Sequence, residues 1–426
     1  MTEPTSPLQI PDFRLFWLSR FASVVGTIGM VVIIGYQLYD VARSQYGMSI
    51  SEAAFQLGLL GLAQFVPLFV FTPIAGVVAD RFDRRTVAAL ASALDMLIAL
   101  ALALATQLGQ LSLPLLFALA AMHGTARVFI GPAMSAFAPN IVPAALMPRA
   151  IALGAMAWQT GAIGGPALAG LLFGLNPALP YWTATALLAI SLTAILAIRR
   201  LPPPEGSREA HPVRQVTEGF RYVWNERFLL GCVTLDLFAV LLGGATALLP
   251  VFARDILNVG SQGLGIMRAA PAIGAAVVSL YLSARPIASN VGVKMLWAVV
   301  GFGVVTIGFG LSRNFALSLG FLVLLGAADM ISVFIRSTLV QLNTPDEARG
   351  RVSAISGLAI SASNELGEMQ SGLAAALLGA TGAVVFGGVG AIIVTVAWAL
   401  LFPELRNART FAPQYRQTHH QREPAL

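Results

Sequence analysis

The amino-acid sequence predicts an all-α membrane protein with twelve transmembrane helices in two six-helix bundles. Three observations lead to this prediction: the composition is apolar, the apolar residues form membrane-length segments, and one polar stretch divides those segments into equal halves. Of the 426 residues, 57% are hydrophobic and 11% are charged, and the mean hydropathy is +0.78. Soluble globular proteins carry about 25% charged residues, so this composition excludes an ordinary soluble protein.

The apolar segments are each long enough to cross a bilayer, since a helix needs about 20 apolar residues to span a hydrocarbon core of about 30 Å. The predicted spans are residues 15–38, 53–79, 86–106, 112–137, 149–174, 181–198, 229–252, 262–284, 293–311, 315–340, 352–378 and 381–402.

The positive charges predict the orientation of these spans. Of the 26 Lys and Arg residues, 19 lie at one set of span ends, whereas Arg43, Arg254 and Arg313 lie at the other set. Cytoplasmic loops retain Lys and Arg, so both termini are expected in the cytoplasm. The isoelectric point near 10.0 therefore reflects membrane topology, and no nucleic-acid partner is expected.

One long polar stretch divides the chain. The predicted organisation is an N-terminal bundle over 1–200, a cytoplasmic linker over 201–228, a C-terminal bundle over 229–402 and a polar cytoplasmic tail over 403–426. After Pro212 the linker has apolar residues at helical spacing, which indicates either a helix in the membrane interface or a solvated linker with incidental periodicity.

The two halves share a weak internal repeat. Gly61-x5-Pro67 in span 2 matches Gly265-x5-Pro271 in span 8, and Pro143-x5-Arg149 matches Pro345-x5-Arg351. Repeated halves around a midplane cavity are typical of secondary transporters.

The turn between spans 2 and 3 concentrates charge in the stretch GVVADRFDRR, residues 76–85. It resembles the loop between helices 2 and 3 of the major facilitator superfamily, in which a Gly, an Asp–Arg pair and two further basic residues recur. Gly76, Asp80, Arg81, Arg84 and Arg85 fit that pattern, and Asp83 stands where the family has a glycine. The resemblance implies a gating role for these six residues, and simple retention of positive charge on the cytoplasmic side is the alternative.

Two further motifs are similar to the same superfamily. His123 to Gly131 in span 4 resembles the family's Arg-x-x-Gln-Gly pattern, which makes Arg127 a candidate for proton relay. The span 5 stretch with Gly161, Gly165, Pro166 and Gly170 resembles a helix-packing motif of antiporters.

The closing stretches NELGEMQSGLAAALLG and LFPELR are similar to the exporter branch that includes enterobactin secretion proteins. This resemblance implies a proton-coupled exporter in the bacterial inner membrane, which moves a siderophore-like or amphiphilic drug-like molecule by alternating access. Importers and uncoupled facilitators of the same fold, and a receptor or scaffold without transport, are the alternatives.

Charged residues inside the spans are the candidates for proton coupling, because a buried charge costs about 2.5–3.5 kcal/mol on insertion scales. Glu365 and Glu368 lie three residues apart on one helix face, where two carboxylates in a low dielectric do not both ionise easily. Asp329 is a further candidate. Each of these residues could instead be a structural anchor.

Gln64, Trp158, Gln159 and Arg336 are candidates to line a substrate cavity, although helix packing explains such residues equally well. The sequence contains no phosphate-binding loop, no cluster with metal-ligand spacing and no recognisable catalytic arrangement. We therefore expect no cofactor, no metal and no enzymatic activity, and partners limited to a small-molecule substrate, protons and lipid, with the chain acting as a monomer.

Overall fold

The computed structural model describes residues 6–135, 137–199, 212–285 and 287–413. Its regular elements are helices, which confirms the all-α class. The first seven α-helices are α1 (Pro11–Ser44), α2 (Ile50–Arg81), α3 (Arg84–Gln107), α4 (Leu113–Ser135), α5 (Phe137–Ile141), α6 (Met147–Leu175) and α7 (Leu179–Ala197).

The remaining helices follow the linker. They are α8 (Pro212–Asn225), α9 (Arg227–Leu242), α10 (Leu249–Val251), a π-helix over Phe252–Ile256, α11 (Gly260–Ala284), α12 (Val291–Leu311), α13 (Phe315–Asn343), α14 (Asp346–Leu401) and α15 (Pro403–Asn407). Most of these bounds lie within a few residues of the predicted spans.

The chain forms two compact units. The first contains the described residues up to 199 together with Leu249–Ala272, and the second contains those from 212 to 248 and from 273 onward. The predicted division of the chain into an N-terminal bundle over 1–200 and a C-terminal bundle over 229–402 stays a prediction.

In the first unit, α1 packs against α6 and α7, while α3 and α4 pack against each other and against α7 and α2 respectively. An aromatic group closes one end of this core, where the rings of Phe16 and Phe137 stack at 5.9 Å beside Phe13. α1, α3 and α4 are therefore each packed against at least two other helices.

In the second unit, α14 is the central helix, because α8, α9 and α12 all pack against it, and α13 packs against α12. The buried core includes Phe228, Cys232, Met295 and Ile335. α8 places Gly219 against the backbone of Arg351, while Phe220 and Trp224 stack on each other at its exposed side.

Ten helices in the described part are long and apolar enough to cross a membrane, compared with the twelve predicted spans. The tenth covers residues 348–401, which contain both of the last two predicted spans. Its helix is interrupted at Gly379, whose φ of 72° and ψ of 163° are not helical and favour glycine. α6, which coincides with predicted span 5, is not among the ten.

Predicted span 7, residues 229–252, lies within one candidate membrane span, Arg227–Ile256, but its backbone is not one regular helix. α9 ends at Leu242, and the chain continues as a 3-10 helix over Ala245–Leu248 before α10 and the π-helix. Glycine lowers helix stability and Pro250 has no N–H to donate, so the sequence Gly243-Gly244 followed by Pro250 explains the break. The hydroxyl of Ser371 donates to the carbonyl of Gly244 at 3.1 Å, which satisfies an acceptor at this break.

Candidate functional site

The charged turn connects α2 directly to α3. Asp83 caps α3, because its carboxylate accepts hydrogen bonds from the backbone N–H of Arg85 and the hydroxyl of Thr86, each at 3.1 Å. Its φ is −56°, so this position does not need glycine. The guanidinium of Arg85 donates to the carbonyl of Leu196 at the end of α7.

Arg84 begins α3 and is partly exposed. Gly76 lies in the C-terminal part of α2, and the side chains of Asp80 and Arg81 lie outside what the structure describes. The gating role of this motif therefore stays a prediction.

The glycine motif of α6 lies where the backbone approaches other helices. A Cβ at Gly161 would lie 2.5 Å from Val24, and a Cβ at Gly165 would lie 2.8 Å from the carbonyl of Val25, both on α1. Pro166 is buried beside them, and its carbonyl faces Gly265 of α11.

Gly170 continues this face, because a Cβ there would overlap the carbonyl of Ser261 on α11. The four residues of the predicted packing motif thus contact two neighbouring helices, α1 and α11.

The far end of α1 carries ionic contacts to residues of the π-helix. Tyr39 donates to a carboxylate oxygen of Asp255 at 2.5 Å, and Arg43 lies 3.4 Å from the other oxygen of that carboxylate. Arg254 pairs in turn with Asp40 at 3.2 Å. The distribution of positive charge predicts that Arg43 and Arg254 lie on the same side of the membrane, but it does not predict their contacts with Asp255 and Asp40.

A buried polar cluster lies in the middle of the first unit. Nδ1 of His123 on α4 lies 2.5 Å from Oδ1 of Asp95 on α3, and the hydroxyl of Thr27 on α1 donates to Oδ2 of the same carboxylate at 3.1 Å. The side chains of His123 and Asp95 are 0% exposed. Spacing along the sequence does not predict this pair, because its two residues lie on different helices.

A second cluster lies in the second unit. Arg336 on α13, which was predicted to line a cavity, is buried and forms an ion pair with Asp236 on α9. Asp329, two turns before Arg336 on the same helix, is near enough to both residues to act on them electrostatically. The structure therefore places the predicted residues Asp329 and Arg336 in one charged group with Asp236.

The two carboxylates of α14 differ in burial. Glu365 is buried and Glu368 is partly buried, one turn apart. Between them, Gly367 approaches the backbone of α9 at Val240 and Leu241. This close contact places the carboxylates on a helix segment held firmly against its neighbour.

The other predicted residues of the first unit do not form one cluster. Gln64 is buried where α2 meets α4. A Cβ added to Gly124 would lie 2.8 Å from the backbone carbonyl oxygen of Gln64. Gln159 donates to the carbonyl of Ala272 at 2.8 Å. Trp158 on α6 is 51% exposed, and Arg127, one turn after His123, is also exposed.

No group of three or more His, Cys, Asp or Glu residues within the described ranges could hold a metal ion. Each unit does bury ionisable side chains: a carboxylate with a histidine in the first, and carboxylates with an arginine in the second.

The sequence profile of the transmembrane secretion effector family matches residues 2–424. Among curated proteins, the chain is similar to the enterobactin exporter EntS of Shigella dysenteriae serotype 1 and to that of Escherichia coli K12. Each is 29% identical over 414 residues, which cover 95% of both chains.

Solved structures show the same fold. A bacterial homolog of the human lysosomal transporter Spinster, in an inward-facing and occupied conformation, aligns with a TM-score of 0.71 and 14% identity over 92% of this chain and 96% of that one. The D-xylose–proton symporter aligns with a TM-score of 0.71 and 13% identity, over 92% and 98% of the two chains. The predicted major facilitator fold is thereby confirmed.

Proposed function

The chain belongs to the transmembrane secretion effector family of the major facilitator superfamily, and on this premise we propose that it is a proton-coupled exporter of a small organic molecule. It is a multi-pass integral membrane protein and a secondary transporter, not an enzyme. We further propose that the protein has twelve spans in two bundles and both termini in the cytoplasm. It is located in the bacterial cytoplasmic membrane and functions as a monomer in this proposal.

The observation that carries the proposal is that each unit buries ionisable side chains on helices long and apolar enough to cross a membrane. The first unit buries Asp95 with His123, and the second buries Asp236 with Arg336 and also Glu365. Ionisable groups in a membrane are costly, and where they occur they commonly mark ion pathways and proton relays. A passive scaffold has no need of them.

The proposed direction and substrate class rest on the relatives. EntS is named an enterobactin exporter, and the similarity to it extends over nearly the whole of both chains. This supports export of a siderophore-like or amphiphilic molecule. At 29% identity the substrate itself can differ, because specificity depends on individual side chains of the site.

In the proposed cycle, Glu365 and Glu368 bind the coupling proton, with Arg127 and Asp329 as further participants. Gln64, Trp158, Gln159 and Arg336 are proposed to face the substrate path. The turn over residues 76–85 acts as the cytoplasmic gate, since its charges can form strong hydrogen bonds that break and re-form as access alternates.

The test is transport by inverted membrane vesicles that contain the chain. With the lumen acidified, enterobactin or the amphiphilic cation ethidium is added outside, and probe uptake and luminal pH are followed together. Export by proton exchange predicts probe accumulation that raises the luminal pH and ends when a protonophore collapses the gradient.

The matched variant is Glu365→Gln with Glu368→Gln, which keeps the size of both side chains and removes their charge. We expect it to bind the probe and to lose the protons that these two glutamates carry. Uptake that ignores the protonophore would favour an uncoupled facilitator, and accumulation only in right-side-out vesicles would favour an importer. Vesicles that move neither probe would favour a receptor or scaffold.

A further inference from the structure

The geometry around His123 points to a second chemical role within the first unit. We propose that the His123–Asp95 pair is a proton-binding site of the transport cycle, in which the exchanged proton resides on Nε2 of His123. The assignment to the transport cycle rests on the proposed function, whereas the binding of a proton at Nε2 does not.

The pair lies deep in its helices. Asp95 follows the start of α3 by 11 residues and His123 follows the start of α4 by 10 residues, which at 1.5 Å per residue places both about 15 Å from those helix ends. Both side chains are completely buried. A carboxylate at this depth needs a partner, and the only groups that contact Asp95 through hydrogen bonds in the described part are His123 and Thr27.

The hydrogen bonds determine which atom exchanges a proton. Ionised Asp95 is an acceptor only, so Nδ1 of His123 carries a hydrogen that it donates to Oδ1, and Thr27 occupies Oδ2. Nε2 is buried and has no hydrogen-bond partner among the described residues. The pair therefore changes between a net charge of −1 and zero by losing or gaining a proton at Nε2.

The neighbouring helices place no other group that exchanges protons in the same pH range near the middle of this described unit. On the helices packed around it, the other charged or titratable side chains away from the first and last six residues are Arg20 and Tyr36 of α1 and Arg127 of α4. Arg20 lies seven residues before Thr27, and Arg127 lies one turn beyond His123 and is exposed. Neither arginine changes charge in the range where histidine does.

Nuclear magnetic resonance of nitrogen-15 histidine tests proton binding without any transport. The chain has four histidines, so the variant His211→Gln, His419→Gln, His420→Gln retains His123 alone. In lipid nanodiscs we expect Nδ1 to stay protonated while Nε2 gains a proton as the pH falls from about 8 to about 5. A single protonation state throughout would overturn the proposal.

Adding Asp95→Asn to that variant is expected to move the midpoint, because the carboxylate that contacts the imidazole is replaced by a neutral amide. A midpoint that does not move would show that the carboxylate and the imidazole do not act as a pair.

The role in transport is tested with His123→Gln in the vesicles described above. We expect the number of protons moved per molecule of probe to fall by about half or more, because one of two coupled proton sites is removed. Exchange of labelled for unlabelled probe without a gradient is expected to continue.

The control is Ser19→Ala with Ser191→Ala, which removes a buried 2.9 Å hydrogen bond between α1 and α7 but no titratable group, and should leave the ratio unchanged. An unchanged ratio in His123→Gln would exclude the pair from coupling. If wild-type vesicles move no protons while Nε2 still titrates, the proposed function is wrong and the proton-binding site stands.

Discussion

Removal of Arg336 is expected to destabilise the second unit more than removal of either carboxylate near it. Arg336 and Asp236 are 7% and 9% exposed, and Asp329 lies within electrostatic range of both. Arg336→Met leaves two acids without a cation, and breaking a buried ion pair in this way costs about 3–5 kcal/mol of unfolding free energy. Asp236→Asn leaves Asp329 to neutralise the arginine, so we expect less than half of that loss.

Cys232 provides the assay. It is the only cysteine in the chain, it is fully buried, and it lies one turn before Asp236 on α9. A maleimide dye therefore reacts only when this part of the second unit opens. Since each 1.4 kcal/mol changes an equilibrium tenfold, a loss of 3–5 kcal/mol raises the labelling rate by about a hundredfold to a few thousandfold.

The expected order of labelling rates is Arg336→Met above Asp236→Asn, with Asp329→Asn closest to wild type because it removes surplus negative charge. The control is Ser19→Ala in the first unit, which should leave labelling of Cys232 unchanged. Equal rates for Arg336→Met and Asp236→Asn would refute the reasoning, because they would show that Asp329 does not take over as a partner.

Three further sets of substitutions test other parts of the structure. Asp80→Asn and Arg84→Ala are expected to lower transport in vesicles severalfold with normal amounts of inserted protein, and wild-type turnover in both would reduce the turn to charge retention. Gly170→Val is expected to lower thermal stability by about 1–3 kcal/mol through steric overlap with α11, whereas Gly164→Ala, which meets nothing within 4 Å, should be neutral; equal melting temperatures would contradict the close approach. Arg127→Ala is expected to abolish transport and Arg127→Lys to retain part of it, since lysine keeps the charge without the planar fork; full activity of the alanine variant would exclude a relay role.

The sequence was sufficient for the class of fold because the apolar segments repeat at membrane length. It was not sufficient for irregular backbone inside a segment. Composition scarcely distinguishes a continuous apolar helix from one interrupted at Gly243, and only the contact with Ser371 shows how the interruption is stabilised. Likewise, Gly379, which has a positive φ, lies in a run of small apolar residues, and this run indicates only weakly where one span ends and the next begins.

The candidate site was predicted less completely, for a geometric reason. Spacing on one helix identifies pairs such as Glu365 and Glu368, but partners on different helices have no signal in the spacing. His123 and Asp95 are 28 residues apart and Arg336 and Asp236 are 100 apart, and each pair forms because two helices present these side chains to each other. Polar residues within apolar segments were the available signal, and this signal does not indicate which side chains on other helices they contact.

The two buried pairs differ in what they can do chemically. Arg336 keeps its charge at any physiological pH, so proton exchange in the second unit has to involve a carboxylate, either Asp329 or the glutamates of α14. In the first unit the basic partner is a histidine, which can gain or lose a proton at Nε2 where arginine cannot. If His123 is the exchanging group, His123→Arg should preserve the contact with Asp95 and fix the pair at zero net charge. Such a variant would retain exchange of the probe but lose the proton that the first unit contributes, which His123→Gln alone cannot separate from loss of the charged contact.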